Sequence, residues 1–233
     1  MIIDVIKGSL LPPEDYIFGV ADLRGLLEKK YDKYPFGISV GKRLNNNIVN
    51  NITSGPTLEY YHHYKHTNRE LSAVAHCIKS ELHKMKIETM VIEPTVDTEV
   101  KKFEHYLKTL TVEVSHKMVA TRAGLGWIGK TDLLISKAFG PRLRLVSLLI
   151  NNYPDHDSKP IEKSRCGNCS ICVEKCPAGA ANGKLWNIKV HRNLFFDAHK
   201  CRKTCGELAM KRLNVNVRIC GMCVAVCPIG STK

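Results

Sequence analysis

The sequence predicts an α+β protein of two domains, an α/β layer over residues 1–157 followed by a small cysteine-rich domain over residues 158–233. Three observations point there. Nine cysteines are concentrated between Cys166 and Cys227, and eight of them read as one device. The residues ahead of them alternate short apolar runs with stretches of helical periodicity, the pattern of an α/β layer. Between the two lies Asn151-Asn-Tyr-Pro-Asp-His-Asp-Ser158, a linker by composition.

The α/β layer reads as follows. Tyr16-Ile-Phe-Gly-Val-Ala21 is a strand ending at Asp22, residues 21–31 are helix-like, and Phe36-Gly-Ile-Ser-Val40 is a second strand. Asn45 to Asn51 is polar and turn-forming, a surface loop or lid. Thr67-Asn-Arg-Glu70 has capping-box spacing, with Leu71, Val74, Ala75, Ile78 and Leu82 at helical intervals behind it, and Cys77 reads as a small buried hydrophobe at the edge of that stripe. Glu88 to Glu93 is a strand before Pro94, and residues 97–110 form a helix with Val100, Phe103, Leu107 and Leu110 on one side. Residues 112–122 continue in helical periodicity, and residues 132–136 and 143–150 are strands.

The cysteine-rich domain carries the chemistry. Cys166-Gly-Asn-Cys169-Ser-Ile-Cys172-Val-Glu-Lys-Cys176-Pro177 and Cys220-Gly-Met-Cys223-Val-Ala-Val-Cys227-Pro228, with Cys201 between them, have the spacing of a two-cluster ferredoxin. A C-x2-C-x2-C triplet surrounds one cubane, and the cysteine before proline serves the neighbouring one. Cys166, Cys169, Cys172 and Cys227 are therefore assigned to a first 4Fe–4S cluster. Cys176, Cys220 and Cys223 go to a second, with Cys201 or Cys205 as its fourth ligand. Structural zinc gives the Cys-Pro endings no role, and a disulfide framework belongs to small secreted domains.

Composition narrows the setting. Of 233 residues, 44% are hydrophobic and 24% charged, ordinary values for a folded globular chain. The N-terminus, with Asp4 and a double proline, is not expected to be a signal peptide, and no apolar run approaches a membrane span. A cytoplasmic protein with reduced thiols is expected. Net charge is +13, and residues 159–233 hold fourteen Lys and Arg against four Asp and Glu. Part of that excess offsets cluster charge. The rest is a solvated surface, a docking face for an acidic electron donor, or a face for nucleic acid.

Gly124-Leu-Gly-Trp-Ile-Gly129 satisfies G-x-G-x-x-G, yet a helix precedes it, strands follow it, and no acid lies between Asp132 and Asp155. A dinucleotide site is thereby excluded, and the glycines are expected to admit something flat or bulky beside Trp127 and Lys130. His62, His63 and His66 form no ligand set, with His66 also open to a pocket role.

Taken together, Arg122-Ala-Gly-Leu-Gly-Trp-Ile-Gly-Lys130, a strand pair, C-G-x-C-x2-C-x3-C-P-x-G-A, a lone cysteine and C-x2-C-x3-C-P resemble the epoxyqueuosine reductases and their relatives. The resemblance is strong from about residue 117 to 228. It implies a cobalamin-binding α/β domain, related in fold to nitroreductases, fused to a two-cluster ferredoxin module, with reductive dehalogenases as more distant cousins. It also implies Cys201 as the fourth ligand of the second cluster, and a cofactor site around Gly124, Gly126, Trp127, Gly129, Lys130 and His66. The implied partners are a low-potential donor of flavodoxin or ferredoxin type and a small-molecule or corrinoid substrate, and the implied protein is oxygen-sensitive. The family's catalytic aspartate matches Leu110 here, leaving Glu113 as the only stand-in. The family's tRNA-holding helical repeats are expected to be lacking, since the sequence ends five residues after Pro228. A corrinoid-linked reductase is therefore the first expectation and an electron carrier without corrin the second. Reduction of epoxyqueuosine in tRNA ranks last, and nucleic acid is not an expected partner.

Overall fold

The computed structural model describes residues 2–95, 103–153 and 158–231. The chain separates into two compact units, each built from three segments: Met1–Arg43, Thr67–Leu125 and Arg144–Ile161 in the first, and Leu44–His66, Gly126–Leu143 and Glu162–Lys233 in the second. A single cut after residue 157 therefore does not describe the division. Residues 44–66 pack with the cysteine-rich segment because Val49, Ile52 and Tyr60 share a core with Ala209, Ile219, Met222 and Val224.

In the first unit, α1 (Ile2–Ser9) precedes the antiparallel pair β1 (Tyr16–Asp22) and β2 (Phe36–Arg43), in register Tyr16↔Lys42 to Asp22↔Phe36. The helix expected over residues 21–31 is absent. Asp22 instead accepts from the Arg24 backbone N–H and guanidinium, Gly25 takes φ +71°, and only a 3-10 turn, Lys29–Tyr31, follows. A carboxylate bonded to the backbone two residues on offers the chain a turn in place of a helix.

Asn45–Asn51, expected as a loop, forms α2 (Asn46–Asn50), where the Asn45 side chain accepts from the N–H groups of Asn47 and Ile48. α3 (Leu58–Lys84) starts nine residues before the expected capping box, because Thr57 Oγ1 already accepts from the Tyr60 N–H. Thr67 is thus buried in mid-helix and Glu70 pairs with Lys42 at 2.6 Å. Leu71, Ala75, Ile78 and Leu82 are fully buried as their spacing predicts, but Cys77 is exposed. It lies beside that stripe, on the solvent side of it.

β3 (Thr89–Ile92), α4 (Phe103–Thr109) and α5 (His116–Arg122) follow; residues 97–102, including Val100 of the expected helix, lie outside the described residues. Then come β4 (Gly126–Ile128), β5 (Leu134–Ser136) and β6 (Leu143–Ile150). The four-stranded sheet has the order β1-β2-β6-β3. Its two faces follow the period of two: Ile38, Val40, Val146, Leu148 and Ile150 pack on α1 and α3, while Leu149 joins Val114, Val119 and Ala123 around α5. Gly37 and Gly19 lie on the α5 side, where a Cβ would strike Val119 and the Ala123 carbonyl respectively.

The second unit holds the β4–β5 hairpin, then α6 (Ile171–Glu174), α7 (Ala198–Leu213) and α8 (Met222–Ala225). No helix among the described residues is long and apolar enough to cross a membrane.

Candidate iron–sulfur centre

The two cysteine runs fold alike. Cys169-x2-Cys172-x3-Cys176-Pro and Cys220-x2-Cys223-x3-Cys227-Pro each place their middle cysteine in a one-turn helix, α6 and α8. Around the first run, Cys169 N–H donates to the Cys166 carbonyl (3.2 Å), Gly167 turns at φ +52°, and Cys176 Sγ accepts from the Ala180 N–H (3.5 Å). Cys227, distant in sequence, lies among Cys166, Cys169 and Cys172: burial first, then those thiols, push it up to about 11. Burial likewise pushes Cys172 up, with Cys166 and Cys169 adding to it. A thiol whose charge is disfavoured by neighbouring thiolates is one that a cationic metal site relieves.

Cys201 and Cys220 lie around Cys223, which is pushed up by burial and then by those two thiols. Cys201 comes from α7, whose N-terminus is fixed by Asp197 accepting from the Lys200 N–H (2.9 Å). Cys205, one turn on, places its Sγ 3.8 Å from that of Cys201 and lies beside Cys220. Those contacts raise Cys205, lower Cys201, and bring Cys220 down to about 7.

Thr131 and Arg142, which the sequence reading passed over, and Trp127, which it set at a cofactor site, complete the surroundings. Thr131, buried in the hairpin turn, lies beside both Cys172 and Cys223, the equivalent cysteines of the two runs, and opposes the upward push of burial on each. Trp127 Nε1 donates to Cys166 Sγ (3.4 Å), with the Arg165 guanidinium 6.0 Å from its ring centre. Arg142 is only 1% exposed. It donates to Asn46 Oδ1 (3.1 Å), Asn50 Oδ1 (2.8 Å) and the Ala225 carbonyl (2.9 Å), while its Nε finds no partner. Burial lowers its pKa, and Cys227 opposes that.

A buried guanidinium held by neutral groups costs several kcal/mol unless an anion lies near. A four-thiolate cubane, with a charge of about −2, is such an anion beside Cys227. The residues present therefore fit the clusters. The available signals were an arginine at the head of an apolar strand and two asparagines at i and i+4.

The glycine-rich stretch has a different use from the one expected. A Cβ on Gly126 would strike the Ile135 carbonyl, one on Gly129 the Ile135 side chain, and one on Gly124 (φ +71°) the Lys159 carbonyl at 2.6 Å. What approaches these glycines is the chain's own backbone at Gly124 and Gly126 and the Ile135 side chain at Gly129. Trp127 is spent on Cys166, Lys130 is buried, and His66 lies exposed on α3. In the first unit, a cavity of about 680 Å³ lies beside β3 and α5, with Pro94, Phe103, Tyr106, Glu113 and His116 in its wall. Glu113 Oε2 accepts from Tyr31 Oη and from Lys30 Nζ, both at 2.6 Å. Burial, then Glu113, push the Tyr31 phenol up to about 12. Leu110, at the place of the family's aspartate, takes φ +49° just after α4.

Residues 165–230 match the family model described as a 4Fe-4S double cluster binding domain. The chain is 36% identical over 152 residues to the epoxyqueuosine reductase of Bacillus cereus, a match covering 61% of this chain and 35% of that protein. It thus spans about a third of the length of that curated relative. A solved epoxyqueuosine reductase, with a tRNA-Tyr epoxyqueuosine-modified stem loop, superposes with TM-score 0.59 at 19% identity, over 100% of this chain and 65% of that one. A reductive dehalogenase whose structure suggests a mechanism for B12-dependent dehalogenation superposes with TM-score 0.62 at 16% identity, over 91% of this chain and 29% of that one. The expected resemblance and the mixed α/β fold with a double-cluster segment are borne out.

Proposed function

We propose that this chain is an iron–sulfur reductase in which two 4Fe–4S clusters, held by the thiols of residues 166–227, relay low-potential electrons from a flavodoxin- or ferredoxin-type donor to a corrinoid acceptor in the cytoplasm. The observation that carries this reading is the adjacency of the one-turn helices α6 and α8, which hold Cys172 and Cys223, one thiol from each set. Cubanes held by thiols on adjacent helices stand close enough for one-electron exchange, which is the chemistry such clusters supply. The chain's part is to hold the thiolates, exclude water around Cys223 and set potentials through Thr131, Trp127 and Arg142. The corrinoid rests on the B12-dependent neighbour and not on the glycine-rich stretch.

Anaerobic purification and reconstitution should give about eight irons and eight sulfides per chain, with a 4Fe–4S signal on reduction in electron paramagnetic resonance. The reduced protein should then bleach the spectrum of stoichiometric cob(II)alamin. About four irons or fewer would remove the two-cluster reading, and an unchanged cob(II)alamin spectrum would leave an electron carrier without corrin. A second reading, reduction of epoxyqueuosine in tRNA, is favoured by the similarity to the Bacillus cereus reductase and by the neighbour solved with a tRNA stem loop. Against it stand Leu110 in the aspartate's place and the engaged carboxylate of Glu113. Conversion of an epoxyqueuosine-bearing stem loop by the reduced protein would establish it.

A further inference from the structure

We propose that Cys205 is a second thiol for the iron corner that Cys201 serves, so that the second cluster has five thiols for four irons. The proposal rests on the two-cluster reading above. Cys201 and Cys205 stand at i and i+4 on α7 and so share one face of the helix. Their sulfurs are 3.8 Å apart, and Cys205 reaches Cys220 as well. Two sulfurs bound to one tetrahedral metal at about 2.3 Å are themselves about 3.8 Å apart. Both side chains therefore reach the same metal position without any change in the backbone.

The helix that carries them is held at both ends. Asp197 caps its start, and Asn214 closes it in the left-handed conformation, donating its N–H to the Met210 carbonyl (3.1 Å). Ala209 is fully buried, and Gly206 faces the Arg218 side chain at 3.1 Å from where a Cβ would lie. With the helix fixed, the choice between the two thiols is a side-chain choice.

A cubane iron takes one outer thiolate, so one of the pair is bound while the other stays protonated beside it. Exchange balances without an oxidant or reductant. The iron–sulfur bond to Cys201 breaks as the bond to Cys205 forms, and the proton on Cys205 Sγ passes to Cys201 Sγ. The outer corner of the first run has no such spare thiol. In the first run the outer ligand is Cys166, and the residue four places on is Ser170.

The test compares wild type, Cys201→Ala, Cys205→Ala and the double variant, each reconstituted anaerobically, with iron counted and the reduced protein examined by electron paramagnetic resonance. Each single variant should keep about eight irons, with the signal of the second cluster altered in at least one, while the double variant should keep about half. Loss of half the iron in Cys201→Ala with full retention in Cys205→Ala would overturn the proposal and make Cys205 a bystander. The opposite pattern would overturn it as well, making Cys205 the sole ligand. The two single variants decide the matter even if the double variant does not fold. A wild type that never exceeds about four irons would overturn the two-cluster reading itself, an outcome separate from either.

Discussion

The two cysteine runs have the same spacing and the same one-turn helix, yet they recruit their outermost ligand differently. In the first, Cys166 stands three residues before Cys169 in the same loop, Cys169 is exposed, and a Cβ on Gly167 would meet open space. In the second, the matching place is Val217, so the ligand comes from α7. Cys223 is half-buried, and a Cβ on Gly221 (φ +85°) would strike Ile52 at 2.7 Å and Tyr60 at 2.8 Å. A site whose ligands are local in sequence can stand at the surface. One whose ligands are distant has to be assembled by packing, and here the core around Ile52, Tyr60, Ala209 and Met222 does that.

The sharpest way to break this contrast is at the paired glycines. Gly221→Ala combines left-handed strain with overpacking and should cost about 2–4 kcal/mol, whereas Gly167→Ala carries the strain alone, about 1–2 kcal/mol. Urea unfolding of the iron-loaded protein measures both. Equal losses would show that the second run is no more dependent on packing than the first.

Arg142 should separate the runs electrostatically. It lies by Cys227, so Arg142→Gln removes a positive charge from the cluster of Cys166, Cys169, Cys172 and Cys227. That cluster's reduction potential should fall by roughly 50–100 mV, since the added electron loses a buried cation, while the other moves little. A redox titration read by electron paramagnetic resonance checks this, and matched shifts in both clusters would blur the distinction.

His116 offers the smallest effect and a control outside both runs. Its Nε2–H donates to the Glu93 carbonyl (2.8 Å) and its Nδ1 accepts from the Ser147 hydroxyl (2.9 Å), a neutral ring satisfied on both sides. Burial brings its pKa down to about 4 from 6.5. Between those values the unfolded chain binds the extra proton, so this stabilisation is complete above pH 6.5 and is lost as pH falls toward 4. Wild type should lose about 1 kcal/mol from this group by pH 5.5, a loss that His116→Gln should not show in urea unfolding. Iron content should be the same in both.

Much of this was legible in the residues. The eight cysteines, the strands at 16–21, 36–40 and 143–150, and the stripe from Leu71 to Leu82 all depend on short-range spacing, which a period of two, of 3.6 or of three residues carries by itself. Helix starts were less so: Thr67-Asn-Arg-Glu70 has the chemistry of a cap, but Thr57 acts first, and burial of Leu71 and Ile78 holds the whole run as one helix. The purpose of Gly124 to Gly129 was also misplaced, because a glycine declares that something comes close and not what does.

By itself the sequence determined the two cysteine runs, the layered first unit and the resemblance that follows from them. Tertiary structure alone decided that residues 44–66 and 126–143 belong with the cysteines, that Asn46 and Asn50 hold Arg142, that Thr131 lies beside both runs, and that Cys205 stands beside Cys201. The physical reason is range. Spacing along a chain specifies which side chains share a turn or a strand face, whereas the partners of a buried charge or thiol are set by packing between segments far apart in sequence.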